Sequence, residues 1–125
     1  MKPEITYTLD IEPEGSLIRG SFDSGDAEAD EQLAQELEER LNRGDLWAWC
    51  TVRVTARCVY QGVTFEGHDY LGGCSYAGEQ DFKHPEGYYP GMCNEARADL
   101  IRQIAEAAHV GNRARELFSM LTADE

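Results

Sequence analysis

The side chains of this sequence that could act as nucleophiles or metal ligands are four cysteines and three histidines. Cys74 with His68 or His84 is the only plausible thiol–imidazole pair, and nothing in the spacing requires it. The cysteines show no Cys-x-x-Cys spacing, and phosphate-loop, Gly-x-Ser-x-Gly and His-Glu-x-x-His motifs are missing. His109 is expected at a helix end, where a cation suits the helix dipole. We therefore expect no enzyme, no metal site and no cofactor.

The charge balance narrows the class of partner. The 125 residues carry 24 acidic and 11 basic side chains, a formal net charge of −13. This charge argues against direct binding of nucleic acid and against docking on anionic lipid. Hydrophobic residues make up 42%, which suits one globular domain over residues 1–125. The longest apolar run spans 46–50 and residues 1–4 begin no signal sequence, so we expect a cytoplasmic protein with reduced, largely buried cysteines.

The negative charge is concentrated in the first 45 residues, which hold 13 acidic and 4 basic side chains. A helix is predicted there over about 26–43, with Asp26 as its N-cap and Leu33, Leu37 and Leu41 as its apolar stripe. Its acids form an arc on the opposite side. Two i,i+4 ion pairs, Glu36–Arg40 and Glu39–Arg43, are expected to neutralise part of this arc. The acids expected to remain unpaired are Asp23, Asp26, Glu28, Asp30, Glu31 and Glu38.

This acidic surface has two interpretations. Acidic groups about one helical turn apart (~5.4 Å) approximate a phosphate backbone and would attract the Lys/Arg groove of a partner. Alternatively, acids in the first turn simply complement the helix dipole, and the face is solvated and aids solubility.

Alternating residues predict the strands. Ile5, Tyr7, Leu9 and Ile11 share one face of a strand over 4–12, and a short extended piece is expected over 17–22. A strand over 46–60 places small apolar residues on one face, and a turn at Gln61-Gly62 returns the chain through an antiparallel partner over 63–71. The other face of the first hairpin strand carries Trp47, Trp49, Arg53 and Arg57, which favours either a binding platform or packing of Arg stems on indole rings.

The C-terminal half adds a glycine- and tyrosine-rich loop and two helices. Residues 72–91 form the loop, with a helical turn expected around 79–83. Its Tyr76, Tyr88 and Tyr89, like Tyr70 before it, either contact a partner or anchor the loop. A helix follows from Pro90 to Gly111, and a last helix covers 112–121. The predicted fold is α+β, an antiparallel sheet of three to four strands with two to three helices packed on one face. The inward positions predicted for these helices are Cys93, Ala96, Leu100, Ile104, Ala107, Leu117, Phe118 and Leu121.

Segments 47–52 (WAWCTV) and 69–76 (DYLGGCSY) resemble a family of small phage and prophage accessory proteins of unsettled activity. The resemblance runs from about Arg19 to Leu100 and includes Ser24-Gly25-Asp26 and Asp81-Phe82. It assigns no functional residue. It implies an accessory gene of a mobile element, expressed in a bacterial cytoplasm.

The leading hypothesis is a binding protein that antagonises a host nucleic-acid-binding defence system, an anti-CRISPR or anti-restriction protein that mimics nucleic-acid charge. The alternative is an accessory or structural protein that self-associates, for example as a homodimer, through its sheet and loop. The partner-binding residues predicted are Asp23, Asp26, Glu28, Asp30, Glu31, Glu38, Tyr76, Tyr88 and Tyr89.

Overall fold

The structure, a computed structural model, describes residues 3–108 and 111–123, so His109 lies outside the described residues. Its strands form one antiparallel sheet of order β1–β2–β3, and with its helices it has the predicted α+β fold. A 3-10 turn at Leu46–Ala48 precedes β2. The elements are β1 (Thr6–Pro13), α1 (Ala27–Asn42), β2 (Cys50–Tyr60), β3 (Val63–Cys74), α2 (Glu79–Phe82), α3 (Tyr89–Ala107) and α4 (Asn112–Thr122).

The chain divides into two compact units. The α3–α4 unit contains, of the described residues, 3–9, 54–69, 89–108 and 111–123. The α1 unit contains residues 10–53 and 70–88. Each strand of the sheet contributes one part to each unit.

The small apolar face of β2 is buried as the alternation predicts. In the α3–α4 unit, Val54 and Ala56 are fully buried, together with Leu100 and Ile104 of α3 and Leu117 of α4. Helix α3 therefore has the predicted apolar stripe with a 3.6-residue period. At its start Met92 is buried, whereas Cys93, which was predicted to face inward, is only half-buried. Phe118, predicted to face inward, is likewise half-buried.

Close packing of α3 on β3 depends on Gly67, which is buried. A Cβ built on Gly67 would overlap backbone atoms of Leu100 and Ala96. The edge N–H of the next residue, His68, donates to the carboxylate of Asp99 at 2.8 Å. Glycine at this position therefore sets how closely α3 can approach the strand.

The predicted hairpin between β2 and β3 is confirmed. Its two-residue turn places Gln61 at φ 50° and Gly62 at φ 80°, the left-handed conformations of a type I′ turn. The register that this turn imposes brings Thr55 opposite His68. The Oγ1 atom of Thr55 and the Nδ1 atom of His68 are hydrogen-bonded at 2.9 Å. Strand β3 continues to Cys74, three residues beyond its predicted end.

In the α1 unit, three local predictions are wrong. Residues 17–22 form turns rather than a strand, and the buried Ile18 anchors them to α1 and the 3-10 turn. Residues 46–48 form the 3-10 turn rather than the start of a strand. On α1, Leu33 is 37% exposed while Ala34 is 3% exposed, so the buried stripe is Ala34 and Leu37 with Leu41 half-buried. The helix itself, with Asp26 as N-cap, is confirmed.

Candidate protein-binding surface

Two of the acids predicted to lack an ion pair, Asp26 and Asp30, stabilise the start of α1 through hydrogen bonds. The Asp26 carboxylate accepts a hydrogen bond from the backbone N–H of Ala29 at 3.1 Å and so caps the helix. The Asp30 carboxylate accepts from the hydroxyl of Ser24 at 2.7 Å and from its backbone N–H at 3.2 Å. These hydrogen bonds hold both carboxylates in place.

Two further acids predicted to be free are paired with a cation from a distant segment. The Arg19 guanidinium contacts the Glu31 carboxylate, and its other terminal nitrogen lies 2.7 Å from a carboxylate oxygen of Glu38. Arg19 therefore joins the 17–22 turn to the side of α1. The prediction that Glu31 and Glu38 are unpaired is wrong, because the cation that reaches them is 12 and 19 residues away in sequence.

The two ion pairs predicted within α1 are absent. Arg40 turns away from Glu36 and binds the Asp45 carboxylate at 2.8 Å and the carbonyl oxygen of Tyr76 at 2.6 Å. The hydrogen bond from Arg40 lowers the pKa of Asp45. Across residues 3–108 and 111–123, neither Glu36 nor Glu39 has a cationic nitrogen within 4.0 Å.

The free negative charge of α1 consequently lies elsewhere on the helix than predicted. Glu28, Glu36 and Glu39 are exposed and have no ion pair among the described residues. They fall within about 80° of one another around the axis, opposite the buried Leu37. We call these three residues the acidic face. Asp23, also exposed and unpaired in the described part of the chain, precedes the helix.

The acidic face overlaps the predicted site only at Glu28. The signal that would have found Glu36 and Glu39 is their position, since both lie on the side of α1 opposite the buried residues. The i,i+4 pairs predicted for these two residues, which do not form, would have neutralised them.

The predicted tyrosine site separates into residues with different roles. Tyr76 is half-buried between Trp47 and Phe82, with ring centroids 6.5 Å and 4.9 Å away, so it anchors the loop. Tyr88 is 63% exposed and has its ring available to a partner. Tyr89 begins α3 in the other unit and is half-buried.

The tryptophans pack rather than form an exposed platform. Trp49 is 6% exposed, lies 5.8 Å from the Phe22 ring, and donates its indole N–H to the carbonyl oxygen of Ser16 at 2.9 Å. Burial of Trp49 therefore contradicts the binding-platform interpretation at this residue, and the ring that packs on it is Phe22 rather than the predicted Arg stem. Trp47 lies in the 3-10 turn rather than on the strand face that carries Arg53.

The burial and the pKa values of the cysteines are unfavourable for a nucleophilic thiol. Cys50, Cys58 and Cys74 are buried, and Cys93 is half-buried. Burial raises the pKa of Cys74, and it raises the pKa of Cys50 to about 11. A nucleophilic cysteine requires the opposite shift, toward a thiolate near neutral pH.

Neither a cluster of metal-ligating residues in the described part of the chain nor a similar known protein indicates what this surface binds. In the part of the chain that the structure describes, no three His, Cys, Asp or Glu side chains cluster as metal ligands would. The helices of that part are too short or too polar to cross a bilayer. No protein-family model, curated protein or solved structure matches the chain. What the chain binds must therefore be inferred from its own surface.

Proposed function

We propose that this chain is a phage- or prophage-encoded binding protein that antagonises a host nucleic-acid-binding defence complex, of the CRISPR or restriction type. Its acidic face would occupy the basic surface on which that complex binds nucleic acid. The observation that carries this proposal is that Glu28, Glu36 and Glu39 remain exposed and unpaired after the pairing of the other α1 acids is taken into account. The resemblance of segments 47–52 and 69–76 to phage accessory proteins supports the biological setting, in a bacterial cytoplasm.

The spacing of the acidic face suits this role. Glu36 and Glu39 are separated by about 4.5 Å along the axis, and Glu28 lies about 12 Å before Glu36. One strand of duplex DNA advances about 3.4 Å per phosphate, so the three carboxylates span a length of about five phosphates. A groove that binds phosphates through Lys and Arg would meet similar charges on this helix.

Electrostatics also favour a protein partner over nucleic acid. A net charge of −13 repels phosphates at long range, whereas a basic protein groove is attracted by the same field. Six acids and one arginine lie within α1, so the helix that carries the acidic face is itself strongly negative. Association with a basic groove should be fast and sensitive to salt.

The test compares binding to a purified CRISPR effector complex and to a purified restriction complex at about 50 mM and about 500 mM salt. We expect binding to one of them at low salt, loss of binding at high salt, and competition by duplex DNA. The variant Glu28→Gln, Glu36→Gln and Glu39→Gln should bind about tenfold more weakly, since each exposed ion pair contributes roughly 0.2–1 kcal/mol.

A charge-matched control distinguishes the acidic face from global charge. Glu12, Glu86 and Glu95 are also exposed and lie outside α1. Replacing all three with glutamine changes the net charge equally and should leave affinity within about twofold. Equal weakening by both triple variants would show that no local face is recognised, and binding that DNA does not compete would contradict charge mimicry.

Self-association is the second candidate, because two tyrosines of the α1 unit are more than half exposed. Tyr70 is 55% and Tyr88 is 63% exposed. Burial of such rings between copies would give an oligomer that resists salt. Light scattering at about 500 mM salt tests this: a dimer that Tyr88→Ala dissociates would support self-association, and a monomer would exclude it.

A further inference from the structure

An aromatic cavity lies in the α1 unit, and none of the acidic-face residues lines it. Its volume is about 300 Å³, and its walls include the rings of Phe22, Trp49, Tyr76 and Tyr88 together with residues 71–75. The left-handed conformation of Gly73, at φ 63°, lets the strand pass against the Trp49 ring, which lies 3.5 Å from where a Cβ on Gly73 would be.

The electrostatic character of the aromatic cavity favours a cation. None of its nine lining residues carries a formal charge. The Glu14 carboxylate accepts a hydrogen bond from the backbone N–H of Gly73, which is one of the lining residues. Burial first, and then the negative charge of Glu14, raise the pKa of the Cys74 thiol in the wall. Burial likewise raises the pKa of Tyr76, and the neighbouring Asp81 adds to this. Burial disfavours a charge of either sign, whereas the nearby carboxylates of Glu14 and Asp81 disfavour an anion and attract a cation.

We propose that the aromatic cavity binds the guanidinium group of an arginine side chain supplied by the partner. This inference rests on the proposed function, which requires a basic partner surface. Aromatic ring faces attract cations, and a guanidinium is flat, weakly hydrated and able to stack on rings. Arginine fits this cavity better than lysine, whose compact ammonium holds its water more strongly. The partner would thus contact the α1 unit through two sets of basic side chains.

The cavity can be tested without any partner protein. The probe is arginine blocked as N-acetyl-arginine methylamide, and its control is the citrulline analogue, which has nearly the same shape but no charge. NMR titration of the full chain follows the indole N–H of Trp49 and the amide of Gly73. We expect saturable shifts with the arginine probe and about fivefold weaker binding of the citrulline probe.

Two tyrosine variants locate the binding. Tyr88→Ala removes an exposed wall of the cavity and should weaken arginine binding about fivefold. Tyr70→Ala removes a similarly exposed ring that does not line the cavity, and it should leave binding unchanged. Equal affinity for the two probes, absence of shifts with arginine, or equal effects of the two variants would overturn the proposal.

The outcomes separate this inference from the proposed function. The triple variant Glu28→Gln, Glu36→Gln and Glu39→Gln should bind the partner about tenfold more weakly yet keep its arginine affinity, since those residues do not line the cavity. Selective arginine binding with no defence complex bound would refute the choice of partner and support the cavity. Binding of a defence complex without any arginine shift would refute the cavity alone.

Discussion

Replacing Glu14 with glutamine should destabilise the α1 unit and reduce its sensitivity to acid. The Glu14 carboxylate follows β1 and joins three segments. One oxygen accepts from the backbone N–H of Gly73 and, at 3.2 Å, from the hydroxyl of Thr51; the other accepts from the backbone N–H of Ser16 at 3.2 Å. A glutamine amide has only one accepting oxygen, so at least one of these donors loses its acceptor.

The size of the effect follows from the type of hydrogen bond. A hydrogen bond to a charged group contributes about 1.5–3 kcal/mol, and one between neutral groups contributes about 0.5–1.5 kcal/mol. Glu14→Gln removes one charged bond and converts the others into neutral ones. Because Glu14 is only half-buried, we expect a loss near the lower end, about 2 kcal/mol at neutral pH.

The pH dependence has a definite sign. The hydrogen bond from Gly73 first, and then that from Ser16, hold the pKa of Glu14 below its ordinary value. The lowered pKa means that the ionised carboxylate stabilises the fold above the ordinary glutamate pKa. This contribution is lost as the pH falls through the lowered value in the folded state. The difference between wild type and Glu14→Gln should therefore narrow on acidification.

Urea unfolding of both proteins at pH about 7 and pH about 3 measures this difference. Glu12→Gln is the matched control, because Glu12 is exposed and its loss should change stability by no more than about 0.5 kcal/mol. Equal stabilities of the two variants at neutral pH, or a difference that persists unchanged at low pH, would refute the reasoning.

Three other substitutions probe the packing described above, each by thermal or urea unfolding. Asp26→Ala removes the N-cap of α1 and should cost about 1 kcal/mol, so an unchanged midpoint would argue against the cap. Gly67→Ala forces a Cβ into the backbone of α3 and should cost about 3 kcal/mol, whereas Gly15→Ala, with no neighbour within 4 Å of its added Cβ, should be nearly neutral. Trp49→Phe breaks the bond to the Ser16 carbonyl and should cost about 1–2 kcal/mol; an unaltered stability would contradict that role.

Elements defined by local rules could be predicted from the sequence. The strict alternation of small apolar residues along β2 identified the buried face, because side chains of a strand alternate between its two sides. Gln61-Gly62 identified the hairpin turn, since Gly tolerates the left-handed conformation that a type I′ turn requires. Asp26 identified the start of α1 through its preference for the N-cap position.

The extension of β2 back to Leu46 was wrong for a tertiary reason. Trp47 and Trp49 match strand alternation, but the chain instead makes a 3-10 turn that places Trp47 among the Tyr76 and Phe82 rings. Burial of these large rings outweighs the local preference for an extended backbone.

The candidate site was the least predictable part, because its charges depend on long-range partners. Arg19 reaches Glu31 and Glu38 from a turn that precedes the helix, and the Arg40 side chain reaches past the end of α1 to Asp45 and to the carbonyl oxygen of Tyr76, 36 residues away. Local spacing along one helix contains no information about such partners. Only the folded chain distinguishes paired carboxylates from free ones.

The position of the two tryptophans allows the unfolding of one unit to be followed by its own spectroscopic signal. Trp47 and Trp49, the only two in the sequence, both belong to the α1 unit. Indole fluorescence therefore monitors that unit alone, while the α3–α4 unit, which contains two of the three long helices, contributes strongly to far-ultraviolet circular dichroism. Unfolding curves recorded by the two signals will coincide if the units melt as one cooperative body, and they will separate if each unit has its own transition.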